Sequence, residues 1–188
     1  MLTTIQLEKN KLKFQETNQT YKIMTKELED FLGEDFYTAP ASSSLSMVGC
    51  YPGGLLHYTI KACKYSIKIN EIVSEPLKQP IETIVRAVFL SQIGKVFMFC
   101  LSTDEWKIKN TGKMYDFCDD VVRLRVGERS VYYALRHGVQ LSEEEYQAIL
   151  NLDKDDEDKM AKYFSSSLTQ IIKMGFEIAY MEEKHGKK

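Results

Sequence analysis

The stretch Pro80-Ile81-Glu82-Thr83-Ile84-Val85-Arg86-Ala87-Val88-Phe89-Leu90 decides how the rest of this 188-residue chain reads. Proline stands in the first turn of a helix, where its missing N–H leaves nothing unpaired. Ile81, Ile84, Val85 and Val88 then recur at i, i+3, i+4 and i+7, one face of a 3.6-residue helix. Phe89 and Leu90 extend the apolar surface around most of the circumference, and a helix of that kind belongs inside a domain. The spacing predicts a central helix ended by Gly94.

Its neighbours are read outward from it. Residues 55–73 carry Ile60, Cys63 and Ile67 on one face and Lys61, Lys64 and Lys68 on the other, an amphipathic helix that stops before Pro76. Pro52-Gly53-Gly54 punctuates its start, and Pro40 with Ser42-Ser43-Ser44 reads as a loop. Ile23, Leu28 and Phe31 predict a helix over 21–31, stopped near Gly33. Ile5, Leu7, Leu12 and Phe14 alternate with polar residues, so 1–20 is predicted to be a β-hairpin or extended arm ahead of a helical domain over 21–188.

On the C-terminal side, Asn110-Thr111-Gly112 between two short runs predicts a small hairpin within 106–117. Residues 130–137 form a short helix closed by Gly138. Ser142 with Glu145 is a capping box that opens a helix to Leu150. An acidic linker over 153–158 leads to one long helix over 160–183, with Phe164, Leu168, Ile171 and Ile178 inward. The fold class is mostly α.

Composition bounds the function. Twenty-five basic and 27 acidic side chains leave a net charge of −2, and 44% of residues are hydrophobic, ordinary for one globular domain. A dedicated nucleic-acid binder usually carries a strongly basic face, so nucleic acid is not an expected partner. No apolar run approaches the roughly 18 residues of a membrane span, and the first ten residues lack a signal-peptide core. A cytoplasmic protein is expected.

Cys50, Cys63, Cys100 and Cys118 form no C-x-x-C pair, and His57, His137 and His185 lie far apart. Four reduced thiols and no zinc site are expected. A calcium loop starting at Asp153 would need Gly and Glu where Asp158 and Phe164 stand. Neither a phosphate-cradling glycine motif nor a G-x-S-x-G elbow is present. The residues alone assign no catalytic group, no metal ligand and no cofactor.

Several stretches, taken in order, resemble the small HD-domain phosphohydrolases of bacteria and their phages. They are Asp35-Phe36-Tyr37-Thr38-Ala39-Pro40-Ala41-Ser42, Gly49-Cys50-Tyr51-Pro52-Gly53-Gly54-Leu55-Leu56, the helix end Leu90 to Lys95, Gly127-Glu128-Arg129-Ser130-Val131 and Leu141-Ser142-Glu143-Glu144-Glu145. The resemblance runs from Tyr21 to Glu183 and implies an HD-like helical bundle with a small β-hairpin insertion and a short N-terminal arm. It also implies a cluster of His and Asp around one or two divalent metals, which would generate hydroxide for attack on phosphorus.

Under the resemblance, every ligand position has changed. Val48, Tyr58, Ser91, Gln92, Val126, Leu152 and Gly175 stand where His or Asp is expected. His57 is one residue from the helical ligand position, about 100° around the helix and too far to serve the same metal. The resemblance therefore implies a metal-free pseudoenzyme, phage-encoded, that acts in the host cytoplasm through protein contacts or self-association, with virion association left open. Val48, Val126 and Leu152 are expected to fill the former pocket with apolar atoms, and Tyr58 and Gln92 to hydrogen-bond one another. The rival reading keeps the pocket open for a nucleotide or oligonucleotide, with Lys95 and Arg129 converging on phosphate. A working metal-dependent hydrolase ranks last, for want of ligands.

Overall fold

The computed structural model describes residues 2–153 and 165–185. Its first element is α1 (Thr4–Tyr21), where a hairpin or extended arm is predicted. Thr3 and Gln6 cap it reciprocally, satisfying two of the N–H groups a helix start leaves open. Its inward positions are Leu7, Phe14, Asn18 and Tyr21, a stripe of helical period, while Ile5 and Leu12, which created the apparent alternation, are exposed. Phe14 closes on Phe36 and Phe89 at ring distances of 4.7 and 5.2 Å, so this helix is part of the domain.

The chain reverses at Lys22, in the left-handed region at φ 48°, and α2 (Lys26–Leu32) starts on a Thr25 cap and ends at Gly33. Leu28 and Leu32 are buried there, while Phe31 is half-exposed and stacks on the His137 ring at 4.2 Å. After the short α3 (Asp35–Thr38) come α4 (Gly54–Ile72), as predicted, and α5 (Ile81–Leu90), which ends short of the predicted stop at Gly94. In α5, Ile84, Val85, Val88 and Leu90 are at most 1% exposed, and α5 packs against α1, α4 and three later helices. It is the central helix.

A 3-10 turn, Ile93–Lys95, follows α5. Then come β1 (Phe99–Leu101), α6 (Glu105–Thr111) and β2 (Tyr115–Phe117). The strands pair antiparallel with Cys100 opposite Asp116. The sheet therefore joins 99–101 to 115–117, and Asn110-Thr111-Gly112 ends a helix, with Gly112 as its left-handed cap, where a hairpin turn is predicted.

Strand pairing also brings the Cα atoms of Cys100 and Cys118 to 5.5 Å, and the two are joined as a disulfide, correcting the expectation of four free thiols. Disulfides are rare in reducing compartments. Cys50 and Cys63 are free and buried.

α7 (Val126–Arg136) begins four residues earlier than predicted, and α8 (Glu143–Asn151) starts on the Ser142–Glu145 capping box. α9 (Ser167–His185) lies along α4. It buries Leu168, Ile171, Ile172, Phe176 and Ala179, whereas Ile178 is 38% exposed and not inward. Phe164 and the acidic run after Asp153 lie outside the described residues. No described helix is long and apolar enough to cross a membrane.

One side chain ties these parts together. Arg86 of α5 donates to Glu145 Oε1 of α8 at 2.7 Å, to the Lys22 carbonyl after α1 at 2.6 Å, and to the Gln140 carbonyl before α8 at 2.6 Å. The pair is 15% and 6% exposed, so each charge depends on the other. Arg86→Met should cost about 3–5 kcal/mol, the cost of stranding one member of a buried ion pair. Urea unfolding of parent and variant measures it; a loss under about 1 kcal/mol would show the pair to be solvent-screened.

Candidate functional site

Four elements line an open cavity of about 550 Å³: α4, the turn after α5, the end of α8, and α9. The sequence-derived residues Tyr58, Gln92, Leu152 and Lys95 all line it. Three of the seven altered ligand positions thus share one hollow with the proposed cation, and the hollow is open where a filled core is expected.

The other four positions lie elsewhere. Ser91 is buried behind Gln92. Val48 lines a separate cleft with Tyr51 and Glu183. Val126, at the start of α7, turns its carbonyl to Gly94, where an added Cβ would lie 2.4 Å from it. Gly175 sits where α9 crosses α4, and a Cβ there would meet Ser66 Oγ at 2.0 Å. Glycine is needed there for the close helix approach. Arg129 lines a second cavity and not this one, so it does not converge with Lys95.

The polar groups of the cavity follow from local bonding. Ser91 Oγ donates to the Val88 carbonyl at 2.7 Å, which uses its only proton. It must therefore accept from Gln92 Nε2, at 3.2 Å, and this fixes which way the Gln92 amide is turned. Gln92 is 3% exposed and its Oε1 has no hydrogen-bond partner among the described residues. The expected Tyr58–Gln92 bond is absent, because the Tyr58 hydroxyl donates to the Phe176 carbonyl at 2.9 Å. Burial, and then Tyr180 and Glu177, push the Tyr58 phenol far above its ordinary range, so it stays neutral.

Lys95 is half-buried, and burial lowers its ammonium pKa against the opposing pull of Asp153. Asp153 also accepts from the Gly127 N–H at 3.2 Å, at the N-terminus of α7. The remaining wall comes from Lys173, Phe176, Glu177 and Tyr180 of α9. These residues escape the sequence reading, yet they recur at i, i+3, i+4 and i+7 and mark a mixed charged and aromatic face. The wall carries two carboxylates, Asp153 and Glu177, beside the Lys95 and Lys173 ammonium groups, and among the described residues no group of three His, Cys, Asp or Glu side chains that could hold a metal ion is found.

His57 behaves as its helical rotation predicts. It turns away from the cavity and joins α1 to α9, with Nδ1 3.2 Å from Asn10 Nδ2 and Nε2 3.4 Å from Glu183 Oε1. An amide N–H donates to Nδ1 only if that nitrogen is unprotonated, so the neutral ring fits best. Burial lowers the His57 pKa below 6.5, with Glu183 pulling it upward and Lys61 adding to the fall. A depressed histidine contributes fully above the unfolded-state value of about 6.5 and loses that contribution as pH falls toward the folded pKa. Stability should therefore drop more steeply below pH 6.5 in the parent than in His57→Gln, measured by urea midpoints between about pH 7 and 5. Parallel profiles would place the proton elsewhere.

Compared with known protein families, with curated proteins and with solved structures, the chain finds no match, so the reading of this cavity rests on its own residues.

Proposed function

We propose that this chain is a non-catalytic, HD-like binding protein that holds a nucleotide-class ligand in the Tyr58–Gln92–Lys95 cavity. The observation that carries the reading is Gln92 Oε1, a buried acceptor with its partner missing and its orientation fixed from behind. Such an acceptor costs roughly 1–3 kcal/mol when left unpaired, and a ligand N–H that moves aside the side chains covering it would remove that cost. A nucleotide offers base N–H donors for Gln92, a planar ring for the aromatic wall, and a phosphate for Lys95. The cavity volume lies within the roughly 300–1,000 Å³ of small-molecule sites. The non-catalytic part of the proposal rests on the family resemblance, under which the metal-ligand positions hold Val48, Tyr58, Ser91, Gln92, Val126, Leu152 and Gly175.

One observation favours a second reading, protein contact. Leu101, Trp106, Phe117 and Val122 are 69%, 67%, 63% and 75% exposed, all in or beside the two-stranded lobe. Large apolar side chains gathered in one region of a surface commonly mark an interface.

Calorimetric titration with nucleoside mono- and triphosphates separates the two. Binding is expected in the parent, about ten-fold weaker in Gln92→Leu, which loses one hydrogen bond to a buried group. The same substitution should raise unfolding stability by about 1 kcal/mol, because it removes the unpaired acceptor. Lys95→Met should weaken the triphosphate more than the nucleoside. Absence of heat with every nucleotide, or undiminished affinity in Gln92→Leu, would overturn the reading in favour of protein contact.

A further inference from the structure

The second cavity, about 370 Å³, lies beside the two-stranded sheet and is built around Arg129. Arg129 is 4% exposed. Its guanidinium donates to the Gly94 carbonyl at 3.3 Å and to the Val122 carbonyl, and it makes no ion pair among the described residues. Guanidinium stays charged at any pH the fold survives, and two neutral carbonyls do not balance a buried cation. Five N–H donors in a planar fork also leave capacity beyond those two bonds.

The walls describe what would complete it. Met98, Phe117, Val121 and Leu124 supply apolar surface, and Arg123 adds a second cation. Asp119 is on the wall too, but it is exposed and forms no ion pair with either arginine. A single anionic head fits the arginine fork bidentately, and the largely apolar lining suits an apolar body better than a polyphosphate chain. The disulfide at Cys118 ties this wall to β1. We infer that this cavity is a binding site for a small organic acid, its carboxylate on Arg129 and its apolar body against Met98, Phe117, Val121 and Leu124. It is a different site from the Gln92 cavity and stands or falls separately.

The test uses the full chain with octanoate, octanol and inorganic phosphate as probes, followed by melting temperature and calorimetry. Octanoate should raise the melting temperature and bind at about 1 mM or tighter, with octanol and phosphate at least about ten-fold weaker. Val121→Trp, which fills the cavity without touching the arginine, should weaken octanoate by about ten-fold or more. Gln92→Leu should leave octanoate binding unchanged. Arg129→Lys keeps the charge but loses the fork, and should also weaken it; since that variant disturbs a buried group, the Met98 methyl signal of the parent gives a readout needing no substitution. Octanoate should shift that signal and octanol should not. Equal response to octanol and octanoate, equal response to phosphate, an unmoved Met98 signal, or a Val121→Trp protein that binds like the parent would each overturn the assignment.

Discussion

The turn between α5 and β1 is tied to α7 by the Ser130 hydroxyl and the Arg129 guanidinium, and both cavities border it. Ser130 Oγ of α7 accepts from the Gly94 N–H at 2.9 Å and donates to the Ser91 carbonyl at 2.9 Å, so its hydrogen-bonding capacity bridges both ends of the turn. The backbones approach so closely that a Cβ on Gly94 would lie 2.8 Å from Ser130 Oγ and 2.9 Å from its nitrogen. Any other residue at 94 would push the turn off α7. With the turn pinned, Gln92 and Lys95 face one cavity, and the Gly94 carbonyl is presented to Arg129 beside the other. The central helix places the turn, and α7 fixes its orientation.

Hydrogen bonds have direction, and the direction here explains why the open valence falls where it does. The chain from Gln92 Nε2 through Ser91 Oγ to the Val88 carbonyl runs one way only, since each donor has one acceptor in line. Reversing the Gln92 amide would set its carbonyl against a serine oxygen with no proton to give. The unpaired Oε1 is therefore a consequence of bonding deeper in the core. At the second cavity the imbalance is of charge: Arg129 meets carbonyl dipoles on one side and apolar atoms on the other.

Local pattern made the central helices legible. α4, α5 and α8 follow from i, i+3, i+4 spacing and from the Ser142–Glu145 box, because their burial repeats with the helical period. α1 was hidden because its apolar residues are few and two of them, Ile5 and Leu12, face water, while a polar residue, Asn18, faces inward and donates to Glu29. The two strands were misplaced because each is three residues long and their pairing spans an intervening helix, which no local spacing reveals. At the site, Tyr58, Gln92, Lys95 and Leu152 were legible as members of one hollow. Val48, Ser91, Val126, Gly175 and Arg129 are not on its wall, since which wall a residue faces is set by how helices cross. Gly175 makes the point: its identity follows from the α4–α9 approach at Ser66 and not from a lost ligand.

An unpaired buried acceptor costs roughly 1–3 kcal/mol, a large part of the 5–15 kcal/mol by which a domain is stable. Leucine or methionine at position 92 would remove the penalty and fill part of the space, with no change to the Ser130 bridge, because the bridge uses only the backbone of Ser91 and Gly94. Against that gain stands the Gln92 Nε2–Ser91 Oγ bond at 3.2 Å, which an apolar side chain at 92 would lose. The two cavities differ in chemistry: among the described residues, the Gln92 acceptor at one has no donor and the Arg129 cation at the other has no anion.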